Sequence, residues 1–257
     1  MRVFIVHAHH EPTSFNAAMT REGLAALTAA GHEVVVSDLY AMQFDPISDR
    51  RNFISAKNPG RLKQQDEEAH ASATNGYAPD LQAEMDKLAW CDVLVFQFPL
   101  WWLGLPAILK GWVDRVFAVG RAYGGGRYFD QGMFAGKRAM LAVTVGGPSP
   151  AYSDIGIYGP MNAILHPIHH GILGFVGFSV VEPFVVYAPS RMQPGERATT
   201  LARYREHLCG IDSAPTIPGP NTADYNGLVR KPAMQTVAAN STLSSIDGTR
   251  ESRARSG

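Results

Sequence analysis

The feature that most constrains the fold is the regular alternation of short apolar, β-branched runs with helix-forming segments. Five runs have the composition of buried strands, at 3–7, 34–37, 93–98, 139–145 and 180–187. Helical patterns follow at 16–30, 80–89, 107–117, 161–175 and 196–208. Strands that alternate with helices are joined by right-handed crossovers, which place the strands in one parallel sheet covered on both faces. We therefore predict an α/β fold with a doubly wound five-stranded parallel sheet, in the order 2-1-3-4-5.

Two segments depart from this rhythm. Residues 46–79 form a long polar insertion, too long for a simple loop, that we interpret as a functional or capping excursion. Beyond residue 212 the chain is rich in Pro, Ser, Thr, Asn and Gly and has no sustained periodicity. We predict one domain over 1–212 and an extended or disordered C-terminal tail over 213–257.

The charge balance excludes several classes of partner. Lys plus Arg and Asp plus Glu are equal at 23 each among 257 residues, so the chain has no basic surface of the kind that binds nucleic acid. No apolar run has membrane-spanning length, and the N-terminus MRVFIVHAHH lacks the pattern of a signal peptide. With only Cys91 and Cys209, a disulfide is unsupported, and we expect a cytoplasmic protein without membrane insertion.

Three loops are expected to meet at one edge of the sheet, because ligands of doubly wound folds bind at the carboxyl ends of the strands. The first strand is followed by HHEPTSFN, the third by PLWWLGLP and the fourth by GGPSPAY. In the first loop, Thr13, Ser14 and Asn16 stand at a helix start and suit a phosphate; capping by Ser14 alone is the simpler alternative. The loop has neither a P-loop nor a G-x-G-x-x-G motif.

The two tryptophans of the loop after the third strand raise the question of what covers their side chains, because a large indole is seldom left exposed. A flat aromatic ligand at this edge explains Trp101 and Trp102, and packing against helices or a second subunit explains them equally well. Gly146 and Gly147 permit close approach of a planar ring or simply form a tight turn. Trp112 lies within a helical pattern and is expected in the core.

Several long segments resemble one known family, the NAD(P)H:quinone oxidoreductases of the DT-diaphorase type. The resemblance runs from about residue 1 to 211 and includes FNAAM, SDLYAM, FQFPLWWLGLPAILKGWVDRVF, TVGGPSPAYSDIGIYGPMN, ILHPI and GFSVVEP. It implies a flavodoxin-like fold, a bound FAD rather than FMN, and a homodimer with active sites at the subunit interface. It also implies two-electron reduction of quinones to hydroquinones by NADH or NADPH, in ping-pong order through the flavin.

The same resemblance implies the site residues. Those on the pyrophosphate side of FAD are His9, Ser14, Phe15 and Asn16. Those along the isoalloxazine are Pro99, Leu100, Trp102, Leu103, Thr144, Val145, Gly146, Gly147 and Tyr152. Those toward the adenine end are Arg197, Leu201 and, from the poorly aligned insertion, Gln64. The catalytic set is Tyr152, Tyr158, Gly146 and Gly147, and the substrate set is Trp102, Tyr123, Tyr128 and Phe175, with Tyr123 and Tyr128 reaching over from the partner subunit.

The chain departs from the family at two of these places. Tyr158 stands where the family has a histidine, and tyrosine has no cationic form near neutral pH, so we expect it to act as a hydrogen-bond donor. Gly125 stands where the family has a second pocket tyrosine, which predicts a more open or mobile substrate lid.

Two further interpretations remain. His166, His169 and His170 share one helix face but lack acidic or cysteine partners at a recognised spacing, so we expect no metal site. The alternative function is a flavin-binding redox sensor, or the regulatory subunit of an ion-efflux system, with only minor reductase activity.

Overall fold

The computed structural model describes residues 1–232, and the chain divides after Gly219 into two compact units, the first Met1–Gly219 and the second beginning at Pro220. Within the second unit, β7 (Tyr225–Asn226) and β8 (Val229–Arg230) form an antiparallel hairpin. The predicted tail is partly described: Ile217 N–H donates to Val180 O at 2.7 Å within the first unit. Its remainder, from residue 233, lies outside the described residues, and the boundary at 212 stays a prediction.

The first unit is built on one parallel sheet, which confirms the predicted flavodoxin-like α/β class. Its strand order is β2-β1-β3-β4-β5, and β6 also pairs with β4. The strands are β1 (Arg2–His7), β2 (Glu33–Asp38), β3 (Val93–Pro99), β4 (Arg138–Val145), β5 (Ser179–Val180) and β6 (Phe184–Tyr187). The central strands β3 and β4 are almost wholly buried, as expected where helices cover both faces.

The prediction of one continuous fifth strand is wrong. The span 180–187 is divided into β5, paired with Arg138 and Ala139, and β6, paired with Ala142–Val145 of the same β4. Pro183 lies in the break and has no N–H to give to a ladder, so pairing stops at Val180 and resumes at Phe184.

Six α-helices accompany these strands in the first unit. They are α1 (Phe15–Ala29), α2 (Gln64–Thr74), α3 (Pro79–Trp90), α4 (Ala107–Val116), α5 (Met161–Ile168) and α6 (Pro194–Cys209). The insertion at 46–79 therefore contains a helix, α2, and its ends meet where Phe53 pairs with Tyr77. The helix predicted over 161–175 is α-helical only to Ile168 and continues as a π-helical turn, His169–Gly174. The change follows Pro167, whose missing N–H breaks the α-helical ladder.

The core has two layers, one on each face of the sheet. Phe4 and Phe96 point to one layer, where the predicted core residue Trp112 is fully buried with its ring edge-to-face on Phe96 at 5.7 Å. Ile5 and Val95 point to the other layer, where α1 and α6 pack. The two layers hold the sheet rigidly, so its carboxyl edge is a fixed platform for the loops that follow β1, β3 and β4.

Candidate functional site

Hydrogen bonds and strand register bring the three predicted loops to one edge of the sheet. At the ends of their strands, His7 pairs with Gln97 and Pro99 pairs with Thr144. Leu100 N–H donates to Thr144 O at 2.9 Å, which joins the loop after β3 to the end of β4. Pro99, Thr144 and Val145 are buried beneath the edge, while the residues after them emerge at the surface.

The start of α1 presents unpaired backbone donors. Ser14 caps the helix, with Oγ accepting from Ala17 N–H at 3.1 Å, as the simpler sequence interpretation required. Within the described residues, the N–H groups of Phe15 and Asn16 donate to no other protein group. Free N–H groups and the positive end of the helix dipole make this turn suitable for an anion.

The side chain of Asn16 does not face that anion site. It is buried, and its amide donates inward to Thr144 Oγ1 while its carbonyl accepts from Gln97 Nε2 at 2.7 Å. Both ends of the amide are therefore used in the core, and only the backbone N–H of Asn16 is left for a ligand.

His9 lies beside the helix start. Its Nδ1 accepts from Glu11 N–H at 3.0 Å, so the proton of the neutral ring sits on Nε2 and is available for donation. Burial, followed by the nearby His10, lowers the pKa of His9, which favours this neutral form. The Glu11 carboxylate accepts from both N–H and Oγ1 of Thr13, so Thr13 has no free donor.

The turn between β3 and α4 is strained and bare. Trp102 is fully exposed, and both Trp102 (φ 52°) and Leu103 (φ 55°) adopt the left-handed conformation that side chains disfavour. Their N–H groups make no hydrogen bond within the described residues. Trp101 is less exposed and lies 5.6 Å from the ring of His10. Strain of this kind is retained where the surroundings or a ligand require the conformation.

The segment after β4 forms a tyrosine cluster. The ring of Tyr152 lies 5.0 Å from that of Tyr158 and 5.7 Å from that of Tyr187. Burial raises the pKa of the Tyr152 phenol, and a hydrogen bond from the Gly147 backbone opposes that change. A Cβ at Gly147 would stand 3.1 Å from Tyr152 Cε2, so glycine is what allows the ring to lie against the turn.

The predicted adenine-end residues divide into two places. The guanidinium of Arg197 lies 5.7 Å from the ring centre of Phe15, the first residue of α1. The same guanidinium donates to Pro189 O. Leu201 packs in the same layer as Phe15. Gln64 instead begins α2 and donates to Glu68 Oε1 at 2.7 Å, and no hydrogen bond within residues 1–232 joins it to the sheet edge.

The predicted substrate residues form a second aromatic group. Phe175 lies 6.1 Å from Tyr123 and is stacked on Tyr128 at 6.4 Å. Over residues 1–232, no ring contact joins this group to Trp102 or Tyr152.

Two residues of the region were missed by sequence reasoning. Gln97 is the single polar residue in the strand sequence VLVFQFP, and Tyr204 donates to its Oε1 at 3.0 Å from α6. A polar side chain inside an otherwise apolar buried strand is the signal that marks Gln97. Tyr204 lies 107 positions away, and its pairing with Gln97 has no local signal.

Comparison with known proteins identifies the family to which the chain belongs. A family model for the flavodoxin-like fold matches residues 1–208. The guinea-pig (Cavia porcellus) NAD(P)H dehydrogenase [quinone] 1 is 44% identical over 223 residues, covering 86% of this chain and 81% of that protein. This chain belongs to the NAD(P)H:quinone oxidoreductase family. The human (Homo sapiens) ribosyldihydronicotinamide dehydrogenase [quinone] is 37% identical and covers 84% of this chain and 94% of its own length. A Klebsiella pneumoniae structure assigned as a quinone reductase superposes with a TM-score of 0.84 at 39% identity, covering 91% and 93% of the two chains.

The glycine run of the predicted substrate lid has an unusual backbone conformation. Gly124, Gly125 and Gly126 all have positive φ, at 140°, 62° and 72°. Open space surrounds a Cβ placed at Gly125, so a side chain there would meet backbone strain rather than crowding.

Residues 1–232 contain neither a metal-binding cluster nor a membrane-spanning helix. No group of three or more His, Cys, Asp or Glu in this range is placed to hold a metal ion; His166 and His170 stack on each other at 4.8 Å. No helix in the same range combines the length and apolar character needed to cross a bilayer.

Proposed function

We propose that this protein is a flavin-dependent quinone reductase. It binds FAD at the carboxyl edge of the sheet, uses NADPH or NADH as donor, and reduces quinones to hydroquinones by two electrons in ping-pong order. The observation that carries the proposal is the strained turn at Trp102, where a bare indole stands beside open backbone donors at the binding edge of a quinone oxidoreductase fold. Covering such a surface is what a planar cofactor would do.

The residues at the edge fit a flavin. The free N–H groups of Phe15 and Asn16 and the Nε2 proton of His9 suit a pyrophosphate. The indole of Trp102 and the unpaired N–H groups of Trp102 and Leu103 suit the face and heteroatoms of a flat ring. Gly146 has open space around its Cβ position, which lets the backbone there approach that ring closely.

A bound flavin would accept hydride from the nicotinamide and pass it to the quinone. The protein's part is to position both substrates and to stabilise negative charge in a site from which water is excluded. A phenol ordinarily keeps its proton at neutral pH, and burial raises the pKa of Tyr152 further, so its hydroxyl would donate to an anionic oxygen. Tyr158, whose ring lies against Tyr152, supplies a second hydroxyl at the same place.

We further propose that the active unit is a homodimer. Beside the edge, the loops after β3 and β4 leave large apolar side chains exposed, namely Trp102, Leu103, Ile155, Ile157 and Tyr158. Several exposed apolar groups on two loops that start at the same sheet edge indicate an interaction surface. A second copy that covers it would bring its own Tyr123, Tyr128 and Phe175 over the flavin, and each site would be completed by both chains.

The dimer is tested by Ile155→Glu, with Leu24→Glu on the outer face of α1 as the matched control. We expect the first change to give monomers in sedimentation and to lower quinone reduction at least tenfold, and the second to leave both unchanged. A fully active Ile155→Glu monomer would contradict the shared site.

The function is tested by extracting the flavin, identifying it by mass, and measuring quinone reduction with NADPH, NADH and dihydronicotinamide riboside. The third donor is included because the human relative is named for it. We expect FAD and parallel double-reciprocal lines for donor and quinone. A protein that retains flavin without steady-state turnover would favour the redox sensor or the regulatory subunit of an ion-efflux system.

A further inference from the structure

A buried polar chain runs through the middle of the parallel sheet, where apolar side chains are the rule. Gln97 and Tyr204 are fully inaccessible to solvent, and Asn16 and Thr144 are nearly so. They belong to four different elements, β3, α6, α1 and β4. A leucine-filled core would serve packing equally well, so the polar side chains need another reason.

The four side chains form one continuous series of hydrogen bonds. Tyr204 Oη donates to Gln97 Oε1 at 3.0 Å, and Gln97 Nε2 donates to Asn16 Oδ1 at 2.7 Å. The Asn16 amide then donates to Thr144 Oγ1. Each amide uses its donor and its acceptor, so the series has one direction and one arrangement. We call these four residues the relay.

The relay ends at the elements that hold the two parts of the proposed cofactor site. At Asn16 it fixes the first turn of α1, whose free N–H groups face the pyrophosphate position. At Thr144 it fixes the last two residues of β4, which immediately precede Gly146 and Gly147. The distance between these two places sets how well one ligand can reach both.

Hydrogen-bonded networks give geometric specificity that apolar contacts do not, because donors and acceptors must align. Hydrophobic packing would tolerate a small slide of α1 along the sheet, whereas the Gln97–Asn16 bond does not. Burial raises the pKa of Tyr204, so its hydroxyl is a donor at every physiological pH.

We propose that Gln97 and Tyr204 are positioning residues that set the spacing between the α1 anion site and the β4 glycine turn, and so determine flavin affinity. The inference rests on the proposed function, since it concerns the same flavin site. Neither side chain is proposed to touch the cofactor; both act through Asn16 and Thr144.

The test is Tyr204→Phe, which removes only the terminal hydroxyl, with Tyr77→Phe as the matched control. Tyr77 is also buried and also donates a phenol hydrogen bond, to Glu68 O at 2.9 Å, but it lies outside the relay. The measurements are the FAD dissociation constant of each apo-protein and its thermal midpoint without flavin. We expect Tyr204→Phe to weaken FAD binding about tenfold, or about 1.4 kcal/mol, and Tyr77→Phe less than twofold, although both lower the midpoint.

Gln97→Met provides a second variant of similar volume that breaks the relay at its centre. We expect it to weaken FAD binding more than Tyr204→Phe does, and saturating FAD to restore kcat in both. The positioning role would be overturned if both relay variants lowered the thermal midpoint but bound FAD as tightly as the wild type does. Wild-type protein that binds no flavin would instead overturn the proposed function, so the two failures are distinct.

Discussion

Replacing Trp102 by glycine separates what this residue does for the cofactor from what it does for the fold. A tryptophan buries about 150–250 Å² when covered, and one indole face is about half of that. At about 25 cal/mol per Å², stacking on a flavin contributes about 2.5 kcal/mol, or about 70-fold in the dissociation constant. Within one chain the Trp102 side chain is fully exposed, so its removal deletes no packing inside that chain.

The backbone of Trp102 affects a different quantity, the stability of the apo-protein, which the change to glycine raises. Trp102 has φ 52°, a conformation that costs a residue with a side chain about 1–2 kcal/mol and glycine almost nothing. Glycine's extra conformational freedom in the unfolded chain offsets about 0.5–1 kcal/mol of the stability gained by removing this strain. We therefore expect Trp102→Gly to bind FAD about 70-fold more weakly while the apo-protein is as stable as wild type or slightly more so.

Calorimetric titration of the apo-protein with FAD and urea unfolding without FAD measure the two effects. Trp101→Leu is the control at the neighbouring position, which contacts His10 rather than the proposed ring, and its affinity should change less than threefold. Wild-type FAD affinity in Trp102→Gly would refute the stacking role. A large loss of apo stability would refute the assignment of Trp102 to an exposed, strained turn.

Three other changes have defined outcomes. Gly147→Ala places a Cβ 3.1 Å from Tyr152 Cε2 and should displace the ring, which we expect to lower kcat for quinone reduction about tenfold; an unchanged kcat would remove Gly147 and Tyr152 from the charge-stabilising set. Tyr158→Phe should lower kcat, whereas Tyr158→His should retain activity and add a pH dependence near 6.5, the ordinary pKa of histidine; identical pH–rate profiles in all three proteins would exclude a proton-linked role. Burial lowers the pKa of His169 to about 4, so the unfolded chain takes up the proton first and stability falls as pH drops from about 6.5 toward 4. The share of His169 is about 2 kcal/mol at pH 5. Urea unfolding at pH 7 and pH 5 should show a loss smaller by that amount in His169→Leu than in the wild type, because buried His7, whose pKa is also lowered to about 4, contributes to the loss in both proteins.

The sheet and its loops were predictable because they depend on local pattern. Alternating strands and helices led to the correct strand order, and the three loops at its carboxyl edge follow from connectivity alone. Trp112 was correctly expected in the core, since an aromatic residue within a helical pattern is usually buried.

What sequence reasoning missed depends on contacts or backbone conformations without a local signature. The positive φ of Trp102 has no signal in the sequence, since tryptophan has no preference for that region. Asn16 was correctly singled out at the helix start, but the inward direction of its side chain depends on Gln97 and Thr144, which are 81 and 128 positions away. Pro183 explains the split of the fifth strand and is visible in the sequence, but the apolar pattern around it led to the prediction of one continuous strand.

The most direct test of the account is anaerobic addition of NADPH to the purified flavoprotein, followed by a quinone, while the oxidised-flavin absorbance is recorded in a stopped-flow instrument. We expect the absorbance to bleach at least as fast as steady-state turnover, and one equivalent of quinone to restore it fully. Absorbance that bleaches far more slowly than quinone is consumed, or that quinone fails to restore, would contradict a quinone reductase working through this site.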